Sequence, residues 1–228
     1  QKGIGHLFRA LNFVKCLQAN NEKYVILVNN DPVACGVLRS KGIRFETVDL
    51  ADTESGWEKV SIRNYGITIW VNDRLDTELR HAKRVKDSGV KLVTLDDRGN
   101  GAELADINVA ALQFGQEAAL KGKEVLTGIE YLILNKEITK YRRLREKAEK
   151  LFVTLGGSDT YGVTIKVVEI LKRFGKSATV HTGPSFAHNR ELEEASYGGD
   201  FNIIGQVPSL VETFHSYDLV VTGGGMTP

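Results

Sequence analysis

From Tyr24 onward the chain repeats one pattern: a short, continuously apolar run, a turn, and an amphipathic stretch that ends at a glycine or asparagine. Runs this short that do not alternate with polar residues are strands buried on both faces. Alternation of such strands with helices at short spacing leaves few topologies, since successive parallel strands must be joined by right-handed crossovers. The constraint is therefore an α/β fold with parallel sheets covered on both sides. The periodicity predicts strands over 24–28, 44–48, 67–71, 91–95 and 107–112, and helices over 5–19, 32–40, 54–63 and 77–88. In the first helix Leu7, Ala10, Leu11, Val14 and Leu17 share one face.

The pattern lapses between Gly115 and Lys150, where the sequence becomes longer in period and richer in charge. It resumes with strands over 151–155, 179–182, 201–204 and 219–222 and helices over 163–174, 189–195 and 209–216. With 228 residues, the chain suits two Rossmann-like halves of roughly 100–120 residues. The expected organisation is an N-terminal Rossmann-like domain over 1–135, a connecting helix over 136–150, and an incomplete C-terminal Rossmann-like domain over 151–228. A glycine loop at Gly3 has no room for a strand ahead of it, and the glycine run at Gly223 has no helix after it. Truncation at both ends is the expectation.

Net charge is +1, and no long run of like charge supplies a footprint for nucleic acid or an anionic membrane. The basic stretch from Lys140 to Lys150 is interrupted by Glu146 and Glu149, as on a solvated helix face. Cys16 and Cys35 fall in helical segments without metal-ligand spacing, which fits buried thiols in a reducing compartment. No apolar run reaches the ~20 residues that span a bilayer. A cytoplasmic protein without a membrane span is expected.

In parallel α/β sheets, ligands bind where strand carboxyl ends feed helix N-termini, whose free N–H groups and positive dipole favour anions. Three glycine loops have that placement: Gly3 to Gly5, Gly156-Gly157, and Gly223 to Gly225. Each alone is as readily a tight turn as a phosphate cradle; three in register, in two halves that face each other, point to one cleft. His6 follows Gly5 at a helix start, placed either to act as a base or to cap and pack. His81, His188 and His215 have the settings of surface residues, whereas His181 alternates with Val180 on a strand and so is a candidate for burial. Asp73 and Asp76 follow one strand, and Asp96 and Asp97 end the next; they suit either sugar hydroxyls or helix caps. No spacing suits a metal.

These residues also carry a resemblance. Gly3-Ile4-Gly5-His6-Leu7-Phe8-Arg9, Thr94-Leu95-Asp96-Asp97, the stretch from Gly128 to Leu134, and Leu155-Gly156-Gly157-Ser158-Asp159 resemble the UDP-sugar hydrolases of pseudaminic acid biosynthesis and their spore-coat polysaccharide relatives. Those proteins share the two-domain GT-B architecture of the UDP-GlcNAc transferase of peptidoglycan synthesis. The stretch from Asp218 to Thr227 is similar to its nucleotide-side loop. The resemblance implies that His6 is catalytic, that Gly3 and Gly5 shape its loop, and that Arg9, Asp73, Asp96 and Asp97 line the substrate cleft. It further implies that Gly223, Gly224, Gly225 and Thr227, with Gly156 and Gly157, hold the nucleotide. The implied reaction is inverting hydrolysis of a UDP-linked amino or deoxy sugar, with His6 taking a proton from water and no metal or other cofactor. The chain departs from the pattern around Asp73-Arg74, where an aromatic is usual, and in the loop from Gly223 to Pro228.

Two alternatives use the same residues: transfer of the sugar to a hydroxyl acceptor, and nucleotide-sugar binding without turnover. A dinucleotide oxidoreductase would need a full Gly-x-Gly-x-x-Gly after a strand, which is missing.

Overall fold

The computed structural model describes residues 5–111 and 120–223. The chain divides into two compact units, one over Phe13–Ile133 and the other from Leu134 onward, joined by the N-terminal residues up to Asn12. Helix α1 (Gly5–Ala19) therefore contributes to both.

In the first unit, β1 (Ile26–Val28) leads to α2 (Pro32–Ser40), whose start is set by Asp31: its carboxylate accepts from Ala34 N at 2.8 Å, and Pro32 supplies a pre-formed first turn. There follow β2 (Phe45–Thr47), α3 (Trp57–Tyr65), β3 (Ile69–Asn72), α4 (Leu79–Asp87), β4 (Lys91–Leu95), a 3₁₀ turn (Asn100–Leu104), β5 (Ile107–Ala110) and β6 (Glu124–Thr127). All pairings are parallel. They form not one sheet but two: a pair β1-β2 and a four-stranded sheet in the order β3-β4-β5-β6. Strand β6 went unpredicted because Glu124-Val125-Leu126-Thr127 is too polar and exposed to stand out from its charged surroundings.

Trp70, Ala82, Val85, Val90, Leu92 and Ala105 form the core of this unit, with Leu27 of β1 packed against it. Each fully buried aliphatic side chain contributes roughly 1.5–3 kcal/mol. A polar network is buried beside it. His81 bonds Glu58 through Nδ1 (3.0 Å) and Asn72 through Nε2 (3.2 Å), Trp70 Nε1 donates to Asn72 (2.8 Å), and Asn72 donates to Thr77 (3.1 Å). His81 is thus not the surface residue its charged helix suggests; it is 6% exposed, because α4 turns that face onto α3 and β3. Burial works against the charge on Glu58, but the His81 bond, helped by Arg84, outweighs it and holds the carboxyl below its usual range.

In the second unit α5 (Ile138–Tyr141) precedes β7 (Leu151–Thr154), α6 (Val163–Arg173), β8 (Ala178–His181), α7 (Asn189–Ser196), β9 (Phe201–Ile204), α8 (Leu210–His215) and β10 (Leu219–Thr222). The predicted helix over 136–150 is reduced to the single turn of α5. Tertiary bonds override its helical composition: Arg145 donates to the carbonyls of Phe214, His215 and Tyr217, while Asp218 accepts from Glu149 N and Lys150 N. The sheet is parallel, in the order β10-β7-β8-β9. Val153, Val168, Ala178, Val180 and Leu192 fill one face of it.

Candidate functional site

The chain leaves β7 toward β8 and β9 on one side and returns to place β10 on the other. The order therefore reverses between β7 and β10, and at such a switch point the loops leaving the strand ends diverge and open a crevice. The flanking loops are Gly156-Gly157 after β7 and Gly223 after β10. Glycine follows within two residues of every strand of this sheet: Gly156, Gly183, Gly205 and Gly223. Gly156 has φ +93°, a conformation that side chains resist, and a Cβ there would meet nothing within 4 Å, so its front is open. Gly183 serves the opposite purpose: a Cβ on it would stand 2.4 Å from the Gly157 carbonyl oxygen and 2.5 Å from that of Gly156. This close approach locks the β7 and β8 loops together, and Ser185 N donates to Gly157 O at 2.9 Å.

The N-terminus of α6 is already supplied with an anion. Asp159, at φ 39°, turns its carboxylate onto Val163 N (2.9 Å) and Thr164 N (2.7 Å). Those two donors are therefore spent within the protein. Gly156 thus leaves open space after β7, whereas the helix start predicted from sequence to receive an anion is capped from within the protein.

Beneath these loops Thr222, Thr154 and His181 are register partners across β10, β7 and β8, so their side chains share one face. His181 is 6% exposed and its Nδ1 lies 3.0 Å from Thr154 Oγ1. Gly224, Gly225 and Thr227 lie outside the described residues.

In the first unit the predicted carboxylates lie at the carboxyl edge of the four-stranded sheet. Asp96 follows the last residue of β4 with φ 55°, a strained setting for a non-glycine residue, and its N–H donates to Val109 O at 2.8 Å. Asp97 is fully buried, and its Oδ1 accepts from Thr77 N (3.0 Å) and Gly99 N (2.9 Å). It ties the β3 loop to the β4 loop. Asp73 is half-buried in the turn after β3, next to Arg74. Burial lowers the pKa of Arg74, although Glu58, Glu78 and Asp97 oppose the shift, and its Nη2 is buried without a hydrogen-bond partner among the described residues.

His6 occupies the first turn of α1, half-buried, and its Nδ1 is 3.5 Å from Arg9 Nη2. Gly5 opens that helix, and Arg9, one turn on, is 7% exposed. Gly3 lies outside the described residues. The structure thus collects the second-sheet glycines on one edge and the three aspartates on another. Among the described residues no group of three His, Cys, Asp or Glu side chains is arranged to hold a metal ion, and no helix is long and apolar enough to cross a membrane.

Thr154 and His181 were not proposed as site residues. Only the parallel register reveals that two residues 27 positions apart meet at the rim.

No protein-family model matches the chain, and no curated protein matches it in sequence. Solved structures do match. The chain is similar to MurG of Acinetobacter baumannii, with 14% identity and a TM-score of 0.60, covering 98% of this chain and 71% of that one. It is similar to a glycosyltransferase of Rickettsia africae, with 10% identity and a TM-score of 0.60, covering 94% and 67%. It is also similar to UGT2 of Phytolacca americana, solved with UDP-2-fluoro-glucose and pterostilbene, with 11% identity and a TM-score of 0.57, covering 97% and 73%. At these identities the likeness is one of fold: the chain has the Rossmann-like α/β architecture, built on parallel sheets, of the GT-B glycosyltransferases.

Proposed function

We propose that this chain is a GT-B-type enzyme that binds a UDP-sugar at the carboxyl edge of the second unit's sheet and passes the sugar to a hydroxyl acceptor. The observation that carries this is the pair of glycine loops flanking the switch point between β7 and β10. The ligand of the Phytolacca enzyme supports a UDP-linked sugar as the substrate class. In this proposal the two halves are the two domains of a GT-B enzyme. Gly223, Gly224, Gly225 and Thr227 are assigned to the diphosphate, together with Gly156 and Gly157. His6 accepts the acceptor's proton as oxygen attacks the anomeric carbon and the bond to UDP breaks. Arg9, Asp73 and Asp96 are assigned to the sugar and acceptor, and Asp97 to the loop that presents them. Charge on the departing diphosphate is offset by backbone N–H groups at the glycine loop.

Hydrolysis is the second reading, favoured by the sequence likeness of 3–9 and 94–97 to UDP-sugar hydrolases, including those of pseudaminic acid biosynthesis. Water then replaces the acceptor hydroxyl in the same step. Calorimetric titration with UDP, followed by product analysis with UDP-sugars in the presence and absence of hydroxyl acceptors, tests both. UDP release that depends on an acceptor identifies a transferase, and free sugar without one identifies a hydrolase. Absence of any UDP binding overturns the proposal.

A further inference from the structure

Among the described residues, His181 is the one titratable side chain that the strands of the second unit's sheet carry into its carboxyl rim. It ends β8, two residues before Gly183, and Gly183 holds the β8 loop against Gly156 and Gly157. One ring nitrogen meets Thr154 Oγ1 at 3.0 Å; the other bonds nothing among the described residues. Phe152 stacks on the ring at a centroid distance of 6.0 Å. Four titratable groups on neighbouring elements have contacts elsewhere. Asp159 caps α6, His188 at the start of α7 meets Phe186, Tyr217 meets Phe152, and His215 of α8 bonds the Tyr141 carbonyl. None of them acts on His181: burial alone pushes its pKa down, which makes the neutral ring the resting form.

We propose that His181 contacts the nucleotide directly: its free ring nitrogen donates to a diphosphate oxygen, and the ring takes up one proton as the anion binds. This rests on the proposed UDP-sugar site and adds to it a group whose charge changes with ligation. The Thr154 hydroxyl makes the change inexpensive. It donates to Nδ1 of the neutral ring and, by rotating, accepts from the same nitrogen once a solvent proton is added there. No covalent bond changes. An anion at the other nitrogen supplies the charge that burial withholds, so binding and protonation reinforce one another.

The test is calorimetry on the full chain with UDP-glucose, whose diphosphate diester has no proton to gain near neutrality. Titrations at pH 6, 7 and 8 are repeated in two buffers of different ionisation enthalpy. Affinity should fall about tenfold from pH 6 to pH 8, with a buffer-dependent enthalpy reporting proton uptake. In His181→Gln both effects should vanish while binding persists at about the high-pH affinity. A second readout avoids substitution altogether: the ring ¹⁵N resonances of His181 should move toward the imidazolium pattern when UDP-glucose is added at pH 7. An unchanged pH profile in His181→Gln, or unmoved ring resonances in the saturated protein, overturns the proposal and leaves the UDP-sugar site standing. Failure of both UDP and UDP-glucose to bind overturns both.

Discussion

Asp97→Ala should loosen the first unit sharply, and the size of the loss follows from two hydrogen bonds. The Asp97 carboxylate is fully buried, and one oxygen holds both Thr77 N and Gly99 N. Alanine leaves both donors buried without an acceptor, at about 1–3 kcal/mol each, so the expected loss is roughly 2–6 kcal/mol. Removing a carboxylate whose Oδ2 lacks a partner returns part of that, which places the outcome in the lower half of the range. For a unit of this size the melting temperature should drop by about 8–16 °C. Asp97→Asn keeps an oxygen where both N–H groups point and should cost no more than about 1.5 kcal/mol. The assay is thermal and urea unfolding of wild type and both variants, compared at equal m-values. If Asp97→Ala melts within about 2 °C of wild type, or Asp97→Asn is as unstable as alanine, the bonds are not what this carboxylate supplies.

Three further outcomes are expected. His6→Asn should lower turnover of the UDP-sugar by roughly 10² to 10⁴ while leaving UDP affinity nearly intact, as for loss of a general base; equal losses in rate and binding would assign His6 to structure instead. Gly183→Ala drives a Cβ into two backbone carbonyls and should destabilise the second unit by about 1–3 kcal/mol and weaken UDP binding, measured by urea unfolding and calorimetry; wild-type values for both would refute the loop lock. Asp106 is held well below the usual carboxylate range, chiefly by Lys86 and then by Lys123 and Leu92 N against the opposing effect of burial. Because its pKa is depressed on folding, its stabilisation is complete above about pH 4 and is lost as pH falls below that; Asp106→Asn should flatten the acid limb of the stability curve between about pH 4 and pH 2, and an unchanged limb would count against the assignment.

The parallel α/β class, most strands and most helices follow from the sequence, because each depends on residues close together in the chain. Continuous apolar runs read as buried strands, and Asp31-Pro32 supplies its helix start locally, through a capping carboxylate and a pre-set φ. Strands at 91–95, 201–204 and 219–222 and the helix at 32–40 were predicted with the bounds observed. The Gly156-Gly157 turn was also visible as a loop. What each loop does was decided by partners far along the chain. Asp159 consumes the α6 start, and Gly183 keys into Gly156 and Gly157. Asp97 faces inward to the Thr77 and Gly99 amides, and Arg145 pulls the predicted connecting helix into extended chain. His81 and His181 show the same division. The charged helix around His81 gave no sign of burial, and although the strand position of His181 marked it as a candidate for burial, only the packing of α4 on β3 and the register of β7 with β8 set Asn72 and Thr154 as their partners. Local chemistry sets which element forms and where it ends. Which face is buried, and which polar group finds a partner, depends on long-range packing that no short window of sequence contains.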